Sequence, residues 1–165
     1  MVATPITPIT KFTSRGRSKT YWVEVIADKA APTRAELDDG IDLTPQLMDA
    51  SGWSVTSAQI ETPNADTRYT ETIPGVISAE ESTITMYADT VGADARDIMP
   101  RDEVGFIVRL DGGDIEGNKC RVFPVTVSSV AVITSLNGGE ADTLVFTYAI
   151  TGEPAEGVDV PAEAA

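Results

Sequence analysis

RVFPVTVSSVAVIT at 121–134, the turn Asn137-Gly138-Gly139 and DTLVFTYAIT at 142–151 decide the fold class. In the later stretch Leu144, Phe146, Tyr148 and Ile150 recur with period two, which predicts a strand with one core-facing side. The earlier stretch predicts a long strand, bent or bulged near Pro124 and Ser128-Ser129. The Asn-Gly-Gly turn joins the two as a hairpin. Working outward, EVGFIVRL at 103–110 is apolar on both faces and reads as a further strand, closed by the turn Asp111-Gly112-Gly113-Asp114. STITMYAD at 82–89 alternates, with Ile84, Met86 and Ala88 inward and Thr83, Thr85 and Tyr87 outward.

Nearer the start, TYWVEVIA at 20–27 reads as a strand covered on both faces. GWSVTSAQIE at 52–61 reads as another, with Trp53, Val55, Ser57, Gln59 and Glu61 on one side and no strongly apolar face. Residues 28–51 predict a long connection. Within it, Pro32-Thr33 opens one helical turn that Gly40 ends, and a second short turn starts near Asp42. Residues 63–76 are polar, broken by proline and glycine, and predict a loop with ragged strand ends. A short helix is expected at 92–99, stopping at Pro100. The sum is seven or eight strands and one short helix. That is a mainly β chain, a β-sandwich or partly open barrel with a helix on its flank.

Residues 1–19 are rich in Thr, Pro and Ile, then basic. Pro5 and Pro8 favour extended backbone there, and the segment reads as an arm. Residues 152–165 are acidic and Pro/Ala-rich and read as a tail. The division is an arm at 1–19, one β domain at 20–151 and a tail at 152–165.

The net charge is −14, from 26 acids and 12 bases, and it is unevenly spread. Residues 1–34 carry Lys11, Arg15, Arg17, Lys19, Lys29 and Arg34 against Glu24 and Asp28, a balance of +4. The remainder carries six bases against 24 acids, a balance of −18. A basic leading segment on an acidic body attracts other copies head to tail. The acidic body itself repels nucleic acid.

Catalytic chemistry finds little support. The chain has no histidine, so Ser-His-Asp and Cys-His arrangements are excluded, and no metal or cofactor is expected. Cys120 is the single cysteine and reads as a packing residue. The Asp111–Asp114 turn fails calcium-loop spacing, because Ile115 stands where a third ligand belongs. The acid pairs Asp38-Asp39 and Glu80-Glu81 lie in polar, solvated stretches. Residues 1–20 lack the apolar core of a signal peptide, and no stretch reads as a membrane span. The protein is expected in a cytoplasm or in a particle assembled there.

The run SRGRSKTYWVEVIADKAAPTRAELDDGIDLTPQLMDASGWSVTSAQIETP at 14–63 resembles the N-terminal half of major tail proteins from siphophages of actinobacterial hosts. IPGVISAEESTITMYAD (73–89), DIMPRDEVGFIVRLDGGD (97–114), VFPVTVSSV (122–130) and FTYAITGEPAEGVDVPA (146–162) continue the pattern. The resemblance implies a non-enzymatic tail tube subunit, carried in the virion and assembled in the host cytoplasm. It implies hexameric rings, in which one sheet of each subunit joins a ring-wide inner β-barrel, stacked around a channel that DNA crosses without binding. It also implies partners: the tape measure protein, a tail terminator, and baseplate or tail-tip proteins. Lumen-facing candidates are Gln59, Glu61, Glu71, Glu80, Glu81 and Thr83. Candidates for contact between rings are Lys11, Phe12, Arg15, Arg17 and Lys19 of the arm, with Leu37, Ile41, Leu43 and Leu47 as apolar anchors from the long loop. The alternatives are another ring-forming tail or neck component, such as a tail terminator, a tube protein of a contractile injection machine, and a capsid decoration module.

Overall fold

The hairpin that decides the class is present at the centre of the computed structural model, which describes residues 3, 6, 7, 9–90 and 94–163. The Pro5 and Pro8 readings, the first two residues of the expected 92–99 helix and the last two of the tail lie outside them. The strands are β1 (Lys19–Val23), β2 (Ile41–Asp42), β3 (Leu47–Ser51), β4 (Val55–Thr62), β5 (Glu71–Ala79) and β6 (Ser82–Tyr87). They continue with β7 (Val104–Leu110), β8 (Lys119–Ile133), β9 (Thr143–Ile150) and β10 (Ala155–Asp159). Two one-turn helices accompany them, α1 (Arg34–Asp38) and α2 (Ala95–Ile98). The main sheet has the order β2-β1-β7-β8-β9-β6-β3, with β10 also on β8; β4 and β5 form a separate hairpin. All pairings are antiparallel, and the sheets do not close into a barrel.

The expected bulge in β8 falls between Val127 and Ser129, where the register against β9 shifts. Pro124 sits in register opposite Phe106 without a shift. β10 and β9 lie in succession along β8, pairing with residues 119–122 and 125–133. On the opposite edge β7 covers residues 120–126.

Alternation sorts the apolar residues into two cores on opposite faces. Trp22, Ile107, Phe123, Val125, Ile84, Phe146 and Tyr148 build the larger one. Val23, Val108, Leu110, Cys120, Val122 and Leu37 build the smaller one. β1, β7 and the first half of β8 are therefore covered on both faces, as their doubly apolar sequences require. Burial pushes the Cys120 thiol up to about 11, so it packs as a protonated group.

Three segments differ from the sequence reading. Residues 28–51 are not an open loop, because β2 pairs with β1 and β3 pairs with β6. Residues 71–76, the end of the stretch read as a polar loop, belong to β5 despite Pro74 and Gly75; a bulge opposite Ala58 accommodates them in a two-stranded hairpin. The segment read as an acidic tail contributes β10, and Val158 and Val160 enter the smaller core. Two valines in a polar stretch signal this weakly, since an edge strand buries few side chains and is fixed by its long-range backbone pairing. Trp53 is not part of the β4 face. It lies before β4, edge-on to Phe123 at 5.2 Å, and donates its indole N–H to the Thr83 carbonyl at 3.0 Å. Gly52 makes that detour possible: its φ is +78°, and a Cβ there would stand 2.1 Å from the Glu81 carbonyl oxygen.

Helix α1 forms because Thr33 and Glu36 make a reciprocal capping box. It is clamped to the turn after β7 by Arg34, which donates to both Asp114 oxygens at 2.6 and 2.8 Å. Tyr21 donates to the same carboxylate at 2.9 Å. Arg34 holds the Asp114 carboxyl below its usual range. A depressed carboxyl stabilises the fold fully above its unfolded value of about 4 and loses that contribution as pH falls through the lowered folded value. Thermal unfolding followed between pH 2 and 6 should therefore show Asp114→Asn less stable than the native chain at pH 6, with the gap closing towards pH 2. A constant gap would remove the clamp from the acid response.

Candidate functional site

The features that stand out among the described residues are three surfaces. Among the described residues no group of three or more Cys, Asp or Glu is placed to hold a metal ion.

The first surface is one half of the main sheet. β3, β6, β9 and the second half of β8 bury Ala50, Ile84, Met86, Leu144 and Phe146 in the larger core. Alternation sends the intervening residues to the other side. Asp49 and Ser51 come from β3, Thr83 and Thr85 from β6, Thr143, Val145 and Thr147 from β9, and Ser129 and Ala131 from β8. No described element packs over this face. Tyr87 and Ile133 continue it at one end; the rest is hydroxyl-rich, and none of these side chains is basic. Ser51 and Thr83 hydroxyls meet across the β3–β6 pair at 2.9 Å.

Both edges of that four-stranded unit are open among the described residues. β3 pairs only with β6. From Ser129 to Ile133 no strand lies on the edge of β8 away from β9. The strands alternate in direction, so β3 runs opposite to β8. Unpaired edges of this kind are templates for another chain.

The second surface is the β4–β5 hairpin. It carries exposed Ile60, Ile73, Val76 and Ile77 and joins no strand of the main sheet. A lone two-stranded hairpin is marginal in water. The third surface is the stretch before β1, where Ile6 and Ile9 are 91% and 79% exposed. There the Arg17 guanidinium lies over the Phe12 ring at 5.6 Å.

The residues singled out in the sequence divide among these places. Gln59 and Glu61 stand on β4 and Glu71 on β5, exposed on the hairpin. Glu80 and Glu81 form the link from that hairpin into β6. Thr83 alone of the six lies on the open face. Lys11, Phe12, Arg15 and Arg17 are exposed ahead of β1, while Lys19 begins β1 and pairs with Asp42 at 2.8 Å. Ile41 is exposed on β2. Leu37 and Leu43 are buried in the smaller and larger cores of their own chain, and Leu47 packs against the larger. Leu37 and Leu43 therefore anchor their loop to its own domain. The open-face hydroxyls Thr85, Thr143, Thr147, Ser129 and Ser51 were passed over. The outward positions of β6 carried the signal, and pairing with β9 extends it.

A family model described as phage tail tube protein matches residues 5–163. No curated protein matches the sequence. Among solved structures, the chain is similar to the sheath/tube terminator of the extracellular contractile injection system PVC. That match has 12% identity and a TM-score of 0.63, covering 89% of this chain and 97% of the other. It is similar to the SPP1 tail tube at 12% identity and a TM-score of 0.55, covering 87% and 79%. It is also similar to a chain of the tail of an empty gene transfer agent particle, at 15% identity and a TM-score of 0.51, covering 72% and 86%.

Proposed function

The chain belongs to the phage tail tube protein family, and on that premise we propose that its copies close edge to edge into hexameric rings that stack around a DNA channel. The observation that carries this reading is the four-stranded unit with two unpaired edges and one uncovered face. Rotation about a ring axis brings the β3 edge of one copy to the β8 edge of the next. Their opposite directions continue the antiparallel alternation around the ring. Closure removes both exposed edges at once. Six copies supply about 24 strands, and at a spacing of about 4.8 Å and a tilt of about 40° they enclose a barrel roughly 45–50 Å across between backbones. That is wide enough for duplex DNA.

The uncovered face then lines the lumen. Its threonines, serines and Asp49 offer no cation to hold a phosphate. The polar candidates Gln59, Glu61, Glu71, Glu80 and Glu81 belong on this reading to the hairpin and its link to β6, which reach a neighbouring copy. The arm carries contact between rings. The host group is actinobacterial and the tail that of a siphophage, as the sequence resemblance implies. The tape measure protein occupies the channel before genome ejection, and terminator and tail-tip proteins close its ends.

A terminator is the second reading, favoured by the similarity to the PVC terminator. Tubes and terminators share the fold, but a terminator caps and does not extend. Electron microscopy of the purified chain over a hundredfold range of concentration separates them. Hollow tubes that lengthen with concentration are expected. Single rings that never stack would favour the terminator, and monomers at every concentration would count against ring closure.

A further inference from the structure

Where β1 ends, the chain passes α1 and β2 and leaves a groove of about 410 Å³. Glu24, Glu36 and Asp39 line it together with the apolar side chains Val25, Ala35 and Ile41, and none of its lining residues is basic. Val25 is 73% exposed although it belongs to an apolar run. Glu36 is engaged by the Ala27 and Thr33 amides, at 2.7 Å each. Glu24 and Asp39 are exposed and make no side-chain hydrogen bond or ion pair among the described residues. The groove is thus an acidic trough with an apolar floor that its own subunit leaves unfilled.

One segment of this chain has the complementary chemistry. The stretch before β1 carries Lys11, Arg15 and Arg17 with no acid, and its exposed Ile6, Ile9 and Phe12 have the apolar surface the floor lacks. It leaves from the Lys19 end of β1, whereas the groove lies at the Val23 end, roughly 15–20 Å further along the strand. Donor and acceptor therefore sit at opposite ends of one element. A contact between different surfaces on successive copies propagates without closing, which is the geometry of a filament.

We propose that the groove lined by Glu24, Glu36 and Asp39 is the receptor for the basic N-terminal arm of a second copy. This rests on the tube reading and adds to it which surface of the next ring receives the arm. Opposite charge sets register and on-rate, and burial of the isoleucines supplies the hold. The contact weakens with salt, since screening acts over about 8 Å at physiological ionic strength.

The test is a charge-swap cycle read by fluorescence anisotropy. The receptor is the full chain carrying K11E, R15E and R17E, whose own arm no longer competes. The probe is a labelled synthetic peptide of native residues 1–18. Saturable, salt-sensitive binding is expected. Adding E24K and D39K to the receptor should weaken it at least tenfold, without lowering the thermal midpoint, since both residues are exposed and Asp39 caps the C-terminus of α1, where a cation is tolerated. A peptide carrying K11E, R15E and R17E should bind that altered receptor better than the native peptide does. Equal binding of the native peptide to both receptors, or no saturable binding, overturns the groove assignment. Micrographs of the native chain, taken in parallel, judge the tube separately. Tubes without groove-dependent binding overturn the groove alone, and groove-dependent binding without tubes overturns the tube reading alone.

Discussion

Val132→Lys is expected to leave the subunit folded and to abolish tubes. Val132 stands near the end of β8, opposite Leu144, and is 50% exposed in the single subunit. A lysine there can lay its stem along the surface and keep its ammonium in water. The cost to the subunit should stay within about 1 kcal/mol, as for surface substitutions away from special features. At the proposed seam the same side chain would be trapped beside Leu47 and Ala50 of the next copy's β3. A lysine pointing inward on an edge strand is a device by which natural sheets refuse another strand. Unfolding followed by circular dichroism should be nearly native, while sedimentation shows monomer and micrographs show no tubes. Tubes of native length from this variant would mean that β8 does not form the seam.

The largest loss of stability is expected at the contact between Trp22 and Gly105. Trp22 is fully buried in the larger core. A Cβ on Gly105 would stand 2.6 Å from Trp22 Cζ2 and 2.7 Å from Cη2, so the indole lies directly on the glycine. Trp22→Ala opens a cavity and should cost about 3–5 kcal/mol. Set against a total of about 5–15 kcal/mol, that leaves a marginal fold. Gly105→Val acts from the other side, by overpacking, and should cost about 1–3 kcal/mol or more. The two sites share one contact, so their effects should not add. Trp22→Phe should be milder than its lost volume implies. It also removes an indole N–H that has no hydrogen-bond partner in its buried site. Urea unfolding of the single and double variants checks this. Unfolding of Gly105→Val at the native urea midpoint would contradict the packing.

The strands legible in the sequence were those whose burial is encoded locally. Ile84, Met86, Leu144, Phe146 and Tyr148 advertise one covered face by simple alternation. The doubly apolar run of β7 advertises two. What stayed hidden depends on partners distant in the chain. β10 has one buried valine, Val158, among acids and a glycine at φ +71°, and only its pairing with β8 makes it a strand. β5 carries Pro74 and lacks a covered face, so nothing local distinguishes it from a loop. Leu37 and Leu43 looked like spare apolar anchors because their partners, such as Val108 and Trp22, come from other strands. Gln59, Glu61, Glu71, Glu80 and Glu81 drew the lumen reading as polar positions at or near the 52–61 and 82–89 stretches. The open face carries almost no charge, and its marker is a row of hydroxyls that becomes visible only once β6, β9 and β8 are laid side by side.

β8 is the one strand that enters both cores with several residues: Cys120 and Val122 in the smaller, and Phe123, Val125 and Val127 in the larger. No bulge interrupts it between them. The two apolar layers are thereby joined through a single continuous backbone, and neither can melt without releasing the ladder that supports the other. A lone subunit should then lose its main sheet in one cooperative step, with equal calorimetric and van't Hoff enthalpies. The β4–β5 hairpin, outside both layers, would open independently and exchange its amide hydrogens first.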